Sequence, residues 1–161
     1  MEIRKANPED CEKIYQMHSA SIQELCGSHY TSEQIREWTE VLKPERYIAA
    51  MDLFEFYVAE DEGKILGLCI LDLDKAELNA LYVAPWAASK GLGKALMGMA
   101  EQLARDSRLT QLTLKATLNA VDFYERIGYV RGEAGTHVLS SGSELPCVQM
   151  KKLLCPEDET A

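Results

Sequence analysis

No run of apolar residues in this chain approaches the roughly 18 that a membrane-crossing helix needs, so a membrane protein is not expected. The first residues, Met1-Glu2-Ile3-Arg4-Lys5, hold no apolar signal region, so export is not expected either. Positive charge is scarce: 17 Lys and Arg stand against 26 Asp and Glu, a formal net charge of −9. That balance argues against nucleic-acid binding, which needs a basic surface. It suits a cationic substrate, or simply solubility. The cysteines Cys11, Cys26, Cys69, Cys147 and Cys155 are odd in number and scattered, with no Cys-x-x-Cys. Neither a disulfide framework nor a structural zinc site follows from such a set. His18, His29 and His137 lie far apart and lack metal-ligand spacing, so no metal is expected. A reducing, cytoplasmic setting is the simplest one for these absences.

Two familiar phosphate loops are also missing. A Walker loop would need Ser or Thr after Gly93-Lys94, where Ala95 stands, and a glycine where Ala88 stands. A dinucleotide fingerprint would need a third glycine at the position of Leu96. What is present is an apolar run, Leu81-Tyr82-Val83-Ala84-Pro85, followed by Ser89-Lys90-Gly91-Leu92-Gly93-Lys94 and a helical pattern. The stretch reads as a strand, a short loop and a helix N-terminus whose amides lack helical partners and suit an anion. Its other reading is an ordinary strand-to-helix connection, with glycines serving tight packing.

With 161 residues, 47% hydrophobic and 27% charged, the chain is expected to form one domain over residues 1–155, with an acidic tail over 156–161. Residues 2–5 read as a strand. Asn7-Pro8-Glu9-Asp10 reads as a helix start, with Cys11, Ile14, Tyr15, His18, Ile22 and Leu25 at helical spacing and Gly27 as its stop. His18 on that stripe reads first as a packed, hydrogen-bonded core histidine; Cys11 and Cys69 also read as core. Thr31 to Gln34 fits a capping box opening a helix through Trp38, and Pro44 opens a third ending near Asp52. Phe54 to Ala59 and Ile65 to Leu71 flank the turn Asp61-Glu62-Gly63-Lys64 as a hairpin, and Glu77 to Val83 continues the sheet. A helix begins near Gly91, with Leu92, Ala95, Leu96, Met99 and Leu103 as its stripe. Then come a strand from Gln111 to Lys115, a helix from Asn119 to Ile127 stopped by Gly128, a strand starting at Tyr129-Val130, a loop marked by Gly135, Gly142 and serines, and a last strand from Leu145 to Leu154. The order β-α-α-α-β-β-β-α-β-α-β-β predicts a mixed α/β sheet of six or seven strands.

Glu77, the glycine loop and the segment Asn119-Ala120-Val121-Asp122-Phe123-Tyr124-Glu125-Arg126-Ile127-Gly128-Tyr129 together resemble the GNAT superfamily of acyl-CoA-dependent N-acetyltransferases, in a bacterial-type, single-domain form. The strong resemblance covers about residues 54–130. It implies a mostly antiparallel sheet flanked by helices, with acetyl-CoA and a primary amine as substrates and a homodimer as a common assembly. It implies that Leu81, Tyr82 and Val83 border the pantetheine arm. Ser89, Lys90, Gly91, Leu92, Gly93 and Lys94 would cradle the pyrophosphate, and Asn119 and Phe123 would border the cofactor. Ala88 departs from the family's Gln or Arg at its position, which removes a side-chain contact but not the backbone cradle. Glu77 is the expected base for the amine and Tyr124 the expected acid for the leaving thiolate. Their other readings are a solvated strand carboxylate and a core aromatic. Asn119 is read equally as a pantetheine partner or a helix cap. Even spacing puts Glu77, Leu81 and Val83 on one side of a regular strand, unless a bulge intervenes. Tyr30, Trp38 and His137 are hints of an acceptor pocket. The alternative function is a noncatalytic acyl-CoA-binding module.

Overall fold

The computed structural model describes residues 1–154; the expected acidic tail and Cys155 lie outside the described residues. Twelve elements follow in chain order: β1 (Glu2–Lys5), α1 (Cys11–Leu25), α2 (Ser32–Glu40), α3 (Pro44–Leu53), β2 (Glu55–Asp61), β3 (Lys64–Asp72), β4 (Glu77–Val83), α4 (Leu92–Asp106), β5 (Gln111–Thr117), α5 (Val121–Arg126), β6 (Val130–Val138) and β7 (Glu144–Leu153). The strands form one seven-stranded sheet in the order β1-β2-β3-β4-β5-β7-β6. Every neighbouring pair is antiparallel except β4 and β5.

Local chemistry sets most boundaries. Asn7 Oδ1 accepts from the Glu9 amide, and the Asp10 carboxylate accepts from the Asn7 amide, so the chain enters α1 through a capped turn. Thr31 and Gln34 make the same reciprocal pair ahead of α2. Glu62 and Gly63 both hold positive φ, 50° and 76°, which matches the twist of a tight hairpin between β2 and β3. Two expectations change. The segment from Asn119 opens as a single 3₁₀ turn, Leu118–Ala120, before α5 begins. Gly135 sits inside β6 rather than in a loop, because Ala134, Gly135 and Thr136 pair with Val148, Cys147 and Pro146 of β7. The loop is confined to residues 139–143, where Gly142 has φ 90°.

Neighbouring residues of β4 show which helices cover which face. Tyr82 packs its ring on His18 of α1 (4.2 Å between centroids) and against Trp38 of α2 (6.3 Å). Its neighbour Val83 approaches Gly93 of α4. Alternation along a strand therefore puts α1 and α2 on one face and α4 on the other. Cys11 and Cys69 are core residues, as expected, and His18 is buried with Nδ1 2.9 Å from the Tyr47 hydroxyl.

Candidate active site

The sheet is split at its centre. β4 and β5 pair only at Glu77 with Thr113 and Leu78 with Leu114, and then diverge. The Ala84 amide donates to the Leu66 carbonyl of β3 at 2.8 Å. Alternation then turns the Tyr82 amide toward β3 and the Leu81 and Val83 amides toward the open gap. No residue of β5 pairs with these two amides. After β4 the chain turns through Pro85–Ala87 and takes left-handed conformations at Ser89 (φ 65°) and Gly91 (φ 81°). α4 then starts with no side-chain cap and no acid in its first turn. Its leading amides are free, and their partial positive charge is not neutralised locally.

A cleft of about 660 Å³ joins the gap to this helix start. Of the residues expected to hold the cofactor, Leu81, Tyr82, Val83 and Ser89 line it from β4 and the loop. Gly91, Leu92, Gly93 and Lys94 line it from α4, and Asn119 and Phe123 from the turn and α5. Lys90 is exposed and does not line it. A Cβ on Gly93 would stand 3.1 Å from the Phe123 ring, so the absence of a side chain lets α4 and α5 approach closely here. Asn119 Oδ1 is buried without a hydrogen-bond partner. A buried acceptor of this kind is costly unless a ligand meets it. Free amides, an orphaned acceptor and an apolar wall fit an elongated ligand with a phosphate at one end and amide groups along its length. Sequence reasoning missed Ser21, Leu25, Cys26 and His29, which the end of α1 brings to the same cleft, and also Thr117 and Arg126. Arg126 had a signal in its motif; the α1 residues had none, because only packing brings them there.

Tyr124 lines this cleft as well, and Glu77 does not. The cause is a bulge. Ile70 pairs with Ala80, but Leu71 pairs with Leu78, which leaves Asn79 as an extra residue on β4. One extra residue reverses the alternation, so Glu77 shares the side of Ala80 and Tyr82 rather than that of Leu81 and Val83. The expected common side for Glu77, Leu81 and Val83 is thereby overturned. Glu77 instead lines a second pocket with Tyr30, Trp38, Lys115 and His137, and this pocket shares Tyr82 and Thr117 with the cleft. A small opening bordered by Leu81, Tyr82, Thr117 and Tyr124 lies in the gap between them. Tyr30 fixes the second pocket's wall: its hydroxyl donates to the Pro146 carbonyl at 2.7 Å and accepts from the Leu118 amide at 3.0 Å.

Burial dominates the electrostatics. It pushes the Tyr124 phenol above its ordinary range, with the nearby Cys69 adding to the effect. Burial also pushes the His18 imidazole down to about 3, helped by the positive charge of Arg46, so the ring is neutral at ordinary pH. Tyr124 is therefore a phenol that keeps its proton at ordinary pH and has an O–H to donate. Among the described residues no group of three or more His, Cys, Asp or Glu side chains could hold a metal ion.

Comparison with known proteins agrees with this geometry. The family model described as acetyltransferase (GNAT) domain matches residues 26–154. A 5-NmdU N-acetyltransferase of Pseudomonas phage PaMx11 is 34% identical over 140 residues, covering 82% of this chain and 89% of the phage protein. The crystal structure of a GCN5-related N-acetyltransferase from Rhodopseudomonas palustris superposes with a TM-score of 0.88 at 27% identity, covering 95% of each chain. An N-acetyltransferase of Thermoplasma acidophilum, solved with coenzyme A, shares the fold at a TM-score of 0.77 and 21% identity, over 94% of this chain and 98% of its own. The split sheet, the uncapped helix start and these matches lead to one conclusion: the chain belongs to the GNAT acetyltransferase family and is an acetyl-CoA-dependent N-acetyltransferase.

Proposed function

We propose that this enzyme moves the acetyl group directly from acetyl-CoA to a small primary amine, with the two substrates entering the gap between β4 and β5 from opposite faces of the sheet. The observation that carries this reading is the bulge at Asn79, which puts Glu77 on one face while Tyr124 lines the cleft of the other. The free amides of α4 and the Lys94 side chain would hold the pyrophosphate. The edge amides of Leu81 and Val83 would hold the pantetheine arm as an added strand does, and one of them would donate to the developing oxyanion. Asn119 would give its orphaned acceptor to an amide of that arm.

Glu77 acts in this reading as the base, directly or through one water. A protonated amine cannot attack a thioester, and a lysine-like amine has a pKa near 10.4, so a proton must leave before or during attack. Tyr124 donates a hydrogen bond to the departing sulfur and returns a proton to it. Its surroundings raise the phenol, and the same desolvation would raise a thiol beside it, so both groups move in one direction. No covalent enzyme intermediate is invoked: Cys26 lines the cleft, but burial pushes its thiol up to about 12, which makes it a poor nucleophile.

The test is steady-state kinetics over a panel of primary amines that includes 5-NmdU, the group in the phage relative's name. Glu77→Gln should lower turnover by roughly 10²–10⁴-fold, with the deficit shrinking at high pH and acetyl-CoA affinity held. Full activity of that variant across pH would remove Glu77 from the mechanism. Binding of acetyl-CoA without turnover of any amine would favour a noncatalytic module instead.

A further inference from the structure

The walls of the acceptor side say more about the amine than the family does. Two hollows of about 190 and 260 Å³ lie on the face of α1 to α3 and share Trp38, Asn79, Tyr82 and His137. They adjoin along these four residues. One end reaches Glu77 and Lys115, and the other reaches His18, Arg46 and Tyr47. Glu77 is the single carboxylate among its lining residues. Against it stand three basic side chains from three elements: Arg46 of α3, Lys115 of β5 and His137 of β6. In a chain of net charge −9 this is a local reversal of sign.

These cations are also unspent. Among the described residues, Lys115 Nζ reaches only the Thr136 carbonyl, at 3.4 Å, and Arg46 Nη1 only the Val41 carbonyl and Ser140 Oγ, at 3.3 and 3.2 Å. Arg4, Arg36, Arg105, Arg131 and Lys152, by contrast, each reach a carboxylate. Partial desolvation lowers the His137 imidazole, and Lys115 and Arg46 lower it further, so the fields of both cations reach this ring and keep it neutral at ordinary pH. At the inner end His18 Nε2 is buried with no partner. Two cations without a carboxylate partner, beside a neutral imidazole that can donate a hydrogen bond, suit a bound anion.

Resting on the transferase reading above, we propose that the acceptor is a small primary amine that also carries an oxyanion, a carboxylate or a phosphate. Its amine meets Glu77, its flat or apolar body lies along Trp38 and Tyr82, and its oxyanion is held by Arg46 and His137. Lys115 keeps a second cation away from the Glu77 end. The net negative charge of the chain turns away long polyanions.

The experiment compares kcat/KM for four amines on one frame: para-(aminomethyl)benzoate, para-(aminomethyl)phenyl phosphate, benzylamine and para-xylylenediamine. At low salt an oxyanion-bearing amine should exceed benzylamine by about tenfold, the sum of a few exposed charge pairs, and the diamine should be poorest. The better of the carboxylate and the phosphate identifies the group. The preference should shrink as salt shortens the screening length. Arg46→Glu with Lys115→Glu, both at exposed positions, should reverse the order in favour of the diamine, which a merely structural role would not do. Equal rates for all four amines, or an unchanged order in that variant, would overturn the oxyanion proposal and leave the transferase reading standing. Should no amine turn over, thermal unfolding of the acetyl-CoA-bound protein decides. Stabilisation by para-toluate but not by para-toluamide, lost in the variant, supports the anion subsite and counts against transfer to a benzylic amine bound there; no stabilisation by para-toluate overturns the subsite.

Discussion

Adding a side chain at Gly93 should damage cofactor binding far more than folding. The structure gives the size of the effect. A Cβ there would lie 3.1 and 3.2 Å from two atoms of the Phe123 ring and 3.8 Å from Val83 Cγ2. Carbon atoms rest at about 3.5–4.0 Å, so Gly93→Ala asks the ring to move by a few tenths of an ångström. Phe123 is only partly buried and borders the cleft, so it can yield in that direction. Gly93 lies in the first turn of α4, where alanine gains up to about 1 kcal/mol in helix propensity, so the melting temperature should barely change. Gly93→Val adds two methyl groups to the same contact. Overpacking of this kind costs about 1–3 kcal/mol, and much of it should fall on the cleft. Acetyl-CoA affinity should then drop by roughly 10-fold or more.

Gly91 supplies the control, because its constraint is different. Its φ of 81° is strained for any side chain, yet a Cβ there would meet nothing within 4 Å. Gly91→Ala should therefore cost about 1–2 kcal/mol of stability, or about 2–8 °C, without crowding a neighbouring side chain. Thermal unfolding with and without acetyl-CoA, together with titration calorimetry, separates the two signatures. A folded Gly93→Val protein with wild-type acetyl-CoA affinity would refute the close-approach argument.

Three further outcomes follow from single side chains. Tyr124→Phe keeps the ring and removes the hydroxyl, so turnover should fall about 10-fold with acetyl-CoA affinity unchanged; wild-type turnover would remove Tyr124 from the chemistry. Tyr30→Phe removes a hydrogen bond to the Pro146 carbonyl and leaves the Leu118 amide unmet, which should cost about 1–3 kcal/mol in urea unfolding, and an unchanged midpoint would show that water replaces both. His18 titrates at about 3 when folded but near 6.5 when unfolded, so the unfolded chain takes up its proton first on acidification. Stability from this group is complete above pH 6.5 or so and is lost as pH falls toward 3, by about 2 kcal/mol between pH 7 and 5; His18→Phe should lack that slope, and parallel pH profiles for the two proteins would contradict it.

Signals that reside in a few adjacent residues were legible in the sequence. The reciprocal caps at Asn7 and Thr31, the hairpin turn at Glu62-Gly63 and the loop from Ser89 to Lys94 each depend on backbone conformations that neighbouring side chains select. The order of strands and helices follows from their hydrophobic periods, and the motif from Asn119 to Tyr129 points to the family without help from packing. Most residues expected on the cofactor side line one cleft, because the motifs place them close together on the chain.

What the tertiary structure decided is everything that depends on a partner strand or a distant helix. Alternation along β4 would put Glu77 beside Leu81 and Val83, but pairing with β3 inserts Asn79 and turns Glu77 to the opposite face. The bulge exists only as a mismatch between two strands, so neither strand alone encodes it. Gly135 looks like a loop residue until β7 supplies its ladder. Arg46, Lys115 and His137 lie on three elements far apart in sequence, and no local pattern marks them as neighbours. The sequence by itself determined the fold family and the uncapped helix start proposed to meet phosphate, because those rest on local backbone chemistry. The face on which Glu77 sits, and the placing of Arg46, Lys115 and His137 beside the hollows, come from register and packing, which are properties of the whole sheet.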